Sequence, residues 1–280
     1  MEYQQLLGPL VEISEAAGSA ILEIYNTCGD IEVQSKGDDS PLTRADLAAH
    51  HLIVDRLAAL TPELPILSEE SGEIPAEQRA GWTRYWLVDP LDGTKEFINR
   101  NGEFTVNIAL IDQGAPVLGV VHVPVKGTTY TGVKGAGATC RDASGGLQPI
   151  QVRPLSPRLQ SSQPVVVVGS RRHGADALDA CIEKIRAEVG EVELTSMGSS
   201  LKICLVAAGE ADLYPRLAPT CEWDTAAAQA VLEAAGGQVT DIHHQPLRYN
   251  QKAELLNPFF YCIGDPGFGW AAVLGAPEAD

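Results

Sequence analysis

The sequence predicts an α+β protein built in two parts. Near the start of the chain, apolar residues recur at helical spacing, which predicts amphipathic helices. Apolar or alternating runs separated by turn residues follow, as is typical of antiparallel strands. From about residue 164, strands alternate with helices, which indicates an α/β unit. We therefore expect an N-terminal α+β domain at residues 1–155 and a C-terminal α/β domain at 156–280. The proline- and serine-rich stretch 149–164 joins them without a long linker.

Two helices open the chain. The first is predicted over residues 5–26, with Pro9 in its first turn, where proline is tolerated. Its apolar face comprises Leu6, Leu10, Ile13, Ala17, Ala20, Ile21 and Ile24. Thr43 and Asp46 have the spacing of a capping box, so a second helix is expected to begin there.

The remaining elements follow from periodicity and turn residues. Strands are predicted over residues 66–68, 85–89, 104–110, 117–123 and 128–133. Asp112, Gln113 and Gly114 separate the third run from the fourth, which predicts a hairpin. The second half is predicted to contain strands over 164–168 and 191–195 and helices over 175–187, 199–208 and 224–236.

Composition limits the partners and the compartment. The 280 residues are 45% hydrophobic and carry a net charge of −17, which argues against nucleic acid or anionic lipid as a partner of the whole surface. The six cysteines include no Cys-x-x-Cys pair, so neither a disulfide framework nor a zinc site is indicated. We see no signal peptide and no membrane-spanning run. We therefore expect a cytoplasmic protein, and loose attachment to the cytoplasmic face of the inner membrane stays open.

The segment Asp89–Thr94 is the strongest chemical signal in the chain. Asp89 and Asp92 stand three residues apart around a turn stiffened by Pro90, so both can face one hard cation. The carbonyl of Leu91 can supply a third oxygen. Mg²⁺ suits such an all-oxygen, partly open set best. The alternative is an ordinary Asp-Gly hairpin turn.

Further acids stand at predicted strand ends and helix starts, where α/β folds place ligands. Glu69 and Glu70 follow the strand that begins at Ile66, and Asp224 opens an alanine-rich helix. Each has an ordinary explanation, because glutamate pairs are often solvated and aspartates such as Asp46 and Asp224 often cap helices. Four or five converging carboxylates, however, would repel one another strongly unless cations neutralised them.

These residues resemble a known family. Glu69-Glu70, Asp89–Thr94 and Trp223–Ala227, in this order over nearly the whole chain, resemble the magnesium-dependent, lithium-sensitive phosphatases of the inositol monophosphatase superfamily. Three further segments resemble its 3'(2'),5'-bisphosphate nucleotidase branch. They are Ser35–Thr43, Gly93–Phe97 and Gly198–Lys202. Inositol phosphatases usually have Thr-Asn where this chain has Lys95-Glu96.

The resemblance implies a fold and a reaction. The fold is the layered αβαβα sandwich of the sugar-phosphatase class. The reaction is hydrolysis of adenosine 3',5'-bisphosphate to AMP and phosphate, by direct attack of water with two or three Mg²⁺ ions, inhibited by Li⁺. The 5'-phosphosulfate relative of this nucleotide is a second candidate substrate. The expected partner is thus a small nucleotide, and monomer and homodimer both stay open.

The resemblance also implies roles for individual residues. The metal ligands would be Glu69, Asp89, Asp92 and Asp224 through side chains and Leu91 through its carbonyl. Thr94, paired with Asp46, would orient and deprotonate the attacking water. The backbone N–H groups of Gly93 and Thr94 would hold the phosphate. Ser199, Lys202 and Arg216 would contact the nucleotide, and Glu69 and Asp224 would also lie against the substrate.

Other interpretations of the same residues stay open. Arg171 and His173 lie in a basic loop that is either near the adenosine or simply solvated. The haloacid dehalogenase class also uses Asp-Gly-Thr, but there a single residue separates the two aspartates. Inositol monophosphatase or fructose-1,6-bisphosphatase activity differs only in the pocket. A non-catalytic cation- or adenosine-bisphosphate-binding protein would need no water-activating hydroxyl such as that of Thr94.

Overall fold

The computed structural model describes residues 3–27, 33–35, 41–169 and 175–275. The helices are α1 (Gln4–Tyr25), α2 (Arg44–Leu60), α3 (Ala76–Arg79), α4 (Thr94–Ile98), α5 (Ser156–Gln160), α6 (Ala175–Val189), α7 (Leu201–Ala207), α8 (Ala226–Ala234) and α9 (Trp270–Leu274). The strands are β1 (Val33–Ser35), β2 (Pro41–Thr43), β3 (Ile66–Ser68), β4 (Arg84–Asp92), β5 (Thr105–Asp112), β6 (Ala115–Val123), β7 (Thr128–Val133), β8 (Gly137–Arg141), β9 (Leu147–Ile150), β10 (Val165–Gly169), β11 (Val192–Ser196), β12 (Leu213–Arg216), β13 (Gln238–Asp241) and β14 (Phe260–Ile263).

A seven-stranded sheet contains strands β3 to β9 in sequence order. The β3–β4 pair is parallel and every other pair in the sheet is antiparallel. Strand β4 is buried on both faces, because Trp86 and Val88 pack with α1 and α2 while Tyr85 and Leu87 pack on the opposite side. Burial on both faces explains why this strand is a continuous apolar run in the sequence.

A five-stranded sheet has the order β11-β10-β12-β14-β13. Strands β10, β11 and β12 are parallel, and β13 and β14 form antiparallel pairs. Helices α7 and α8 lie between the two sheets, and α6 and α9 cover the outer face of the smaller sheet. With α1 and α2 on the far side of the larger sheet, the layers are helix, sheet, helix, sheet, helix. This arrangement confirms the predicted αβαβα sandwich.

Two glycines bring α8 into contact with the larger sheet. Gly119 on β6 pairs with Gly132 on β7. A Cβ atom on Gly119 would lie 2.2 Å from the carbonyl oxygen of Ala227, and one on Gly132 would lie 2.5 Å from the Cα of Val231. Side chains at these positions would therefore push α8, and Asp224 before it, away from the sheet.

Local signals in the sequence predict some of the observed elements and not others. The predicted hairpin is confirmed, with Gln113 and Gly114 both at positive φ between β5 and β6, as a type I' turn requires. The expectation for Pro9 is wrong, because it is the sixth residue of α1 and lies beyond the first turn. The helix is maintained by its buried face, including Leu10, Ile13 and Ile21. The helix predicted from residue 199 begins at Leu201.

The sheets divide the chain between residues 66–150 and 165–263. The boundary predicted near residue 155 lies between them. Helix α8 packs on strands of both sheets, so the separation of the chain into two folding domains stays a prediction. Among the described residues, no helix is both long enough and apolar enough to span a bilayer.

Asp212 links the segment that connects the two sheets to the smaller sheet. Its side chain is 2% exposed and accepts hydrogen bonds from Arg153 (2.8 and 3.0 Å), from Arg158 (2.6 and 2.7 Å) and from the backbone N–H of Val166 (2.7 Å). Two guanidinium groups thus share one buried carboxylate, and its removal would leave both without their counter-charge.

We predict that Asp212→Asn lowers the free energy of unfolding by about 3–5 kcal/mol, the usual cost of breaking a buried ion pair from one side. Urea unfolding followed by circular dichroism measures it. Glu183→Gln is the control, because Glu183 and Arg186 form an exposed pair on α6, whose loss costs about 0.5 kcal/mol or less. Equal effects of the two variants would contradict the importance of this network.

Candidate active site

The site begins where β4 meets β5. The regular pairing of the two strands is interrupted between Asp89 and Asp92. The backbone N–H of Leu91 donates to Oδ1 of Asp89 at 3.0 Å, which closes a tight local turn. Gly93 follows with φ +93°, and a Cβ there would meet the carbonyl oxygen of Glu103 at 3.2 Å. The irregular strand end therefore turns both aspartates toward one place.

Three carboxylates converge at this point. One oxygen each from Asp89, Asp92 and Asp224 lies within 4.8 Å of the other two. Asp224 arrives from the single turn Glu222–Asp224 before α8, where its Oδ2 accepts the N–H of Cys221 at 2.9 Å. The structure thus brings together predicted ligands that are up to 135 positions apart in the sequence numbering.

Burial and mutual repulsion both act on these acids. Asp89 is 1% exposed, and burial, followed by the charges of Glu69, Asp92 and Asp224, raises its pKa well above the usual range. Burial, followed by Asp92 and Glu69, raises the pKa of Asp224 to about 8. Glu69 lies beside this cluster, with its N–H bonded to the carbonyl of Val88 at 3.0 Å. A site that raises carboxylate pKa values in this way favours a bound cation.

Thr94 and Asp46 are in contact, as predicted. The Thr94 hydroxyl lies 3.2 Å from Oδ1 of Asp46 and 3.4 Å from the carbonyl oxygen of Leu91. The other oxygen of Asp46 accepts the N–H and the hydroxyl of Thr43, at 2.8 and 2.5 Å. Asp46 therefore serves as the capping-box residue of α2 and as the partner of Thr94 together. It is 1% exposed, and burial raises its pKa.

A cleft next to the acids contains the predicted nucleotide contacts. Gly93, Ser199, Lys202 and Arg216 line it together with Asp92, Asp224 and Tyr214. Lys202 is 7% exposed, donates to the carbonyl of Met197 at 3.2 Å and lies 5.6 Å from the ring centre of Tyr214. Burial lowers its pKa to about 8, although Asp92 pulls in the opposite direction.

Arg216 is held in place by the loop after β12. Its guanidinium donates to the carbonyls of Ala218 and Pro219, at 3.1 and 2.8 Å. A net charge of −17 belongs to the whole chain, whereas three cationic side chains, Lys95, Lys202 and Arg216, line this cleft together with Asp92 and Asp224. Such a surface fits an anionic molecule that also contacts a metal.

Two predicted residues cannot be placed, and two contacts at the site were not predicted. Arg171 and His173 lie outside the described residues. Sequence reasoning missed Asn107. This residue of β5 pairs with Asp89 of β4, and its side-chain amide donates to Asp92 at 3.3 Å. From its place at the start of a predicted helix, Ser200 is also a candidate for holding the 5'-phosphate or the ribose, and its hydroxyl lies 2.6 Å from Asp92. Only the strand pairing and the tertiary packing reveal these two contacts.

Comparison with known proteins was consistent with this geometry. Residues 2–260 match the sequence model of the inositol monophosphatase family. The 3'(2'),5'-bisphosphate nucleotidase CysQ of Escherichia coli strain K12 is 49% identical over 256 residues, which are 91% of this chain and 98% of the relative. The CysQ of Haemophilus influenzae is 36% identical and covers 97% of both chains.

Solved structures show the same similarity. CysQ from Bacteroides thetaiotaomicron, described as a bacterial member of the inositol monophosphatase family, has a TM-score of 0.76 and 42% identity over 94% of this chain and 98% of that one. Inositol monophosphatase from Anabaena has a TM-score of 0.71 and 26% identity over 95% of this chain and 92% of that one.

We predict that Asp89→Asn stabilises the metal-free protein by about 0.5–2 kcal/mol, the gain usual when a functional site is relieved of strain. The amide accepts the Leu91 N–H but carries no charge against Glu69, Asp92 and Asp224. Urea unfolding at pH 8 in EDTA measures the change. Asp55→Asn, at an exposed position on α2, is the control and should leave stability unchanged. A destabilised Asp89→Asn protein would contradict the repulsion described above.

Proposed function

The chain belongs to the inositol monophosphatase family, and from this premise we propose that it is a Mg²⁺-dependent 3'(2'),5'-bisphosphate nucleotidase. The substrate is adenosine 3',5'-bisphosphate, with its 5'-phosphosulfate relative as a further substrate, and the products are AMP or the sulfated nucleotide and phosphate. The main support for this proposal is the convergence of Asp89, Asp92 and Asp224 beside the Thr94–Asp46 pair and a cleft with cationic side chains.

Two observations favour a bisphosphorylated nucleotide over inositol monophosphate. The relative named 3'(2'),5'-bisphosphate nucleotidase CysQ reaches 49% identity and the structure named CysQ reaches 42%, whereas the Anabaena inositol monophosphatase reaches 26%. Lys202 and Arg216 also line the same cleft as Asp92 and Asp224, so a second phosphate of the substrate would find its counter-charge there. A monophosphorylated inositol has no group for these two cations.

The residues fit Mg²⁺. Glu69, Asp89, Asp92 and Asp224 offer carboxylate oxygens and Leu91 a carbonyl, which is the hard, all-oxygen set that Mg²⁺ prefers. Burial and the neighbouring carboxylates raise the pKa values of Asp89 and Asp224, which supports binding of a cation at this cluster. We assign two or three ions to these ligands. The chemistry that Mg²⁺ supplies when bound is charge neutralisation at the phosphoryl group and hydroxide from water near neutral pH.

Thr94 and Asp46 position the attacking water. The Thr94 hydroxyl donates to Asp46, so its lone pairs can accept a hydrogen bond from water. As the water oxygen bonds to the 3'-phosphorus, the water proton passes to the Thr94 hydroxyl, which passes its own proton to Asp46. The bond from phosphorus to the 3'-oxygen breaks in the same step, and a solvent water molecule protonates the leaving 3'-oxygen. Gly93 is in the left-handed conformation, which contributes to anion-binding nests, and its backbone N–H and that of Thr94 hold the phosphate in this proposal.

Ser199, Lys202 and Arg216 hold the nucleotide in this proposal. Each lines the cleft that Asp92 and Asp224 also line. Lys202 and Arg216 are already fixed by backbone carbonyls, so little side-chain entropy is lost when a phosphate binds.

The proposed activity is tested by phosphate release with Mg²⁺ from four compounds. These are adenosine 3',5'-bisphosphate, its 5'-phosphosulfate relative, inositol 1-phosphate and fructose 1,6-bisphosphate. We expect preference for the adenosine compounds and complete loss of release with EDTA. Preference for a sugar phosphate would overturn the nucleotide assignment but leave the metal site, and release from none would favour a binding protein.

We predict that Thr94→Val lowers kcat by about 10²–10⁴-fold, the usual contribution of a positioned proton acceptor. Mg²⁺ binding, measured by calorimetry, should stay close to wild type, because no metal ligand changes. Thr94→Ser keeps the hydroxyl and should keep most of the activity. Loss of both turnover and Mg²⁺ binding in Thr94→Val would show that Thr94 is structural.

We predict a pH dependence from Lys202. Because its pKa is lowered to about 8, the ammonium is charged below pH 8 and neutral above it, so kcat/KM for the bisphosphate should decline as pH rises past 8. Lys202→Met should lower kcat/KM at pH 7 by about 10- to 100-fold, the value of a charged hydrogen bond. It should also remove that part of the decline. An unchanged pH profile in Lys202→Met would refute the assignment.

A further inference from the structure

Ser200 lies between the parts of the chain that supply the acid cluster. It is 3% exposed and directly precedes α7. Its backbone N–H and its hydroxyl oxygen each lie 2.6 Å from Oδ2 of Asp92. The same hydroxyl oxygen lies 2.7 Å from the backbone carbonyl oxygen of Asp224. One buried residue therefore contacts an aspartate at the end of β4 and another before α8.

Asn107 supports Ser200 from behind. It is 1% exposed, and its amide nitrogen lies 2.8 Å from the Ser200 hydroxyl oxygen and 3.3 Å from Oδ2 of Asp92. Since the hydroxyl accepts this hydrogen bond, its own proton is directed to Asp92 or to the Asp224 carbonyl. Both acceptors lie within hydrogen-bond distance. The Ser200 hydroxyl can therefore donate to one of them while the backbone N–H donates to Asp92.

The two aspartates share a pattern. Oδ2 of Asp92 is occupied by the donors of Ser200 and Asn107, and Oδ2 of Asp224 by the N–H of Cys221. Each side chain is thereby oriented, and its second oxygen remains as the candidate metal ligand. Partners that orient ligands from behind a metal site typically change metal affinity when they are removed.

The position of Ser200 is itself held. The preceding residue, Ser199, has φ +48°, a conformation that a non-glycine residue adopts at a cost. On the N-terminal side of Ser199, the N–H of Gly198 donates to the carboxylate of Glu103 at 2.7 Å. Contacts to β4 and to the segment before β5 thus fix both ends of this short loop.

We propose that Ser200, supported by Asn107, is a positioning residue that sets the relative placement of Asp92 and Asp224 and thereby the affinity of the site for Mg²⁺. The inference rests on the metal site of the proposed function. It assigns to Ser200 a role toward the metal ligands and not toward the nucleotide.

The test is a calorimetric titration of Mg²⁺ into the EDTA-treated, dialysed full-length protein. Ser200→Ala should weaken Mg²⁺ binding by about 10- to 100-fold. Ser200→Cys keeps a side-chain donor at this position, although the thiol is larger and donates a weaker hydrogen bond, so its affinity should fall between those of the wild type and Ser200→Ala. The matched control is Ser14→Ala, which removes another fully buried serine hydroxyl, bonded to Val11 on α1. It should bind Mg²⁺ as the wild type does.

Turnover distinguishes positioning from a contact with substrate. With Ser200→Ala, the Mg²⁺ concentration for half-maximal activity should rise, while KM for the nucleotide at saturating Mg²⁺ should stay near wild type. Unchanged Mg²⁺ affinity in Ser200→Ala and Ser200→Cys would overturn this inference alone. Absence of Mg²⁺ binding by the wild type would overturn both it and the proposed metal site.

Discussion

Repulsion among the carboxylates of the acid cluster is the constraint on which the rest of this structure depends. Asp89, Asp92 and Asp224 place oxygens within 4.8 Å of one another, with Glu69 close enough to raise two of their pKa values. A folded chain tolerates this arrangement only if other interactions compensate for it or a cation neutralises it. The packing around the site supplies the compensating interactions, and the all-oxygen donor set is suited to binding a cation.

The layered fold makes the convergence possible. Asp89 and Asp92 end a strand of the larger sheet, whereas Asp224 precedes a helix between the sheets. The paired glycines of β6 and β7 let that helix approach within van der Waals distance. Asp212 and its two arginines tie the connecting segment to the smaller sheet. The site is therefore a property of the assembled layers, with each part bringing one or two of its acids.

Local chemistry made part of this predictable from the sequence. The capping box at Thr43 and Asp46, the turn at Gln113 and Gly114 and the doubly buried run of β4 each depend on neighbouring residues, and each has the predicted form. Ordered motifs indicated the acid cluster, although spacing alone could not exclude a simple turn. The strands β12, β13 and β14 were not predicted, because pairing between segments that are distant in the sequence defines them. The contacts of Asn107 and Ser200 bridge 93 positions, and nothing local signals them.

Lys202 and Arg216 line the same cleft as Asp92 and Asp224, but a metal ion is needed to neutralise the acid cluster. This need is tested most directly by the number of protons released when Mg²⁺ binds at pH 7, from calorimetric titrations in two buffers with different heats of ionisation. The pKa of Asp224 is raised to about 8, so this carboxyl holds a proton at pH 7 when no metal is bound; burial and the neighbouring acids also raise the pKa of Asp89. Binding should therefore release protons, as it does wherever ligands must be deprotonated. Tight binding of Mg²⁺ without proton release would contradict the account, and so would the absence of binding.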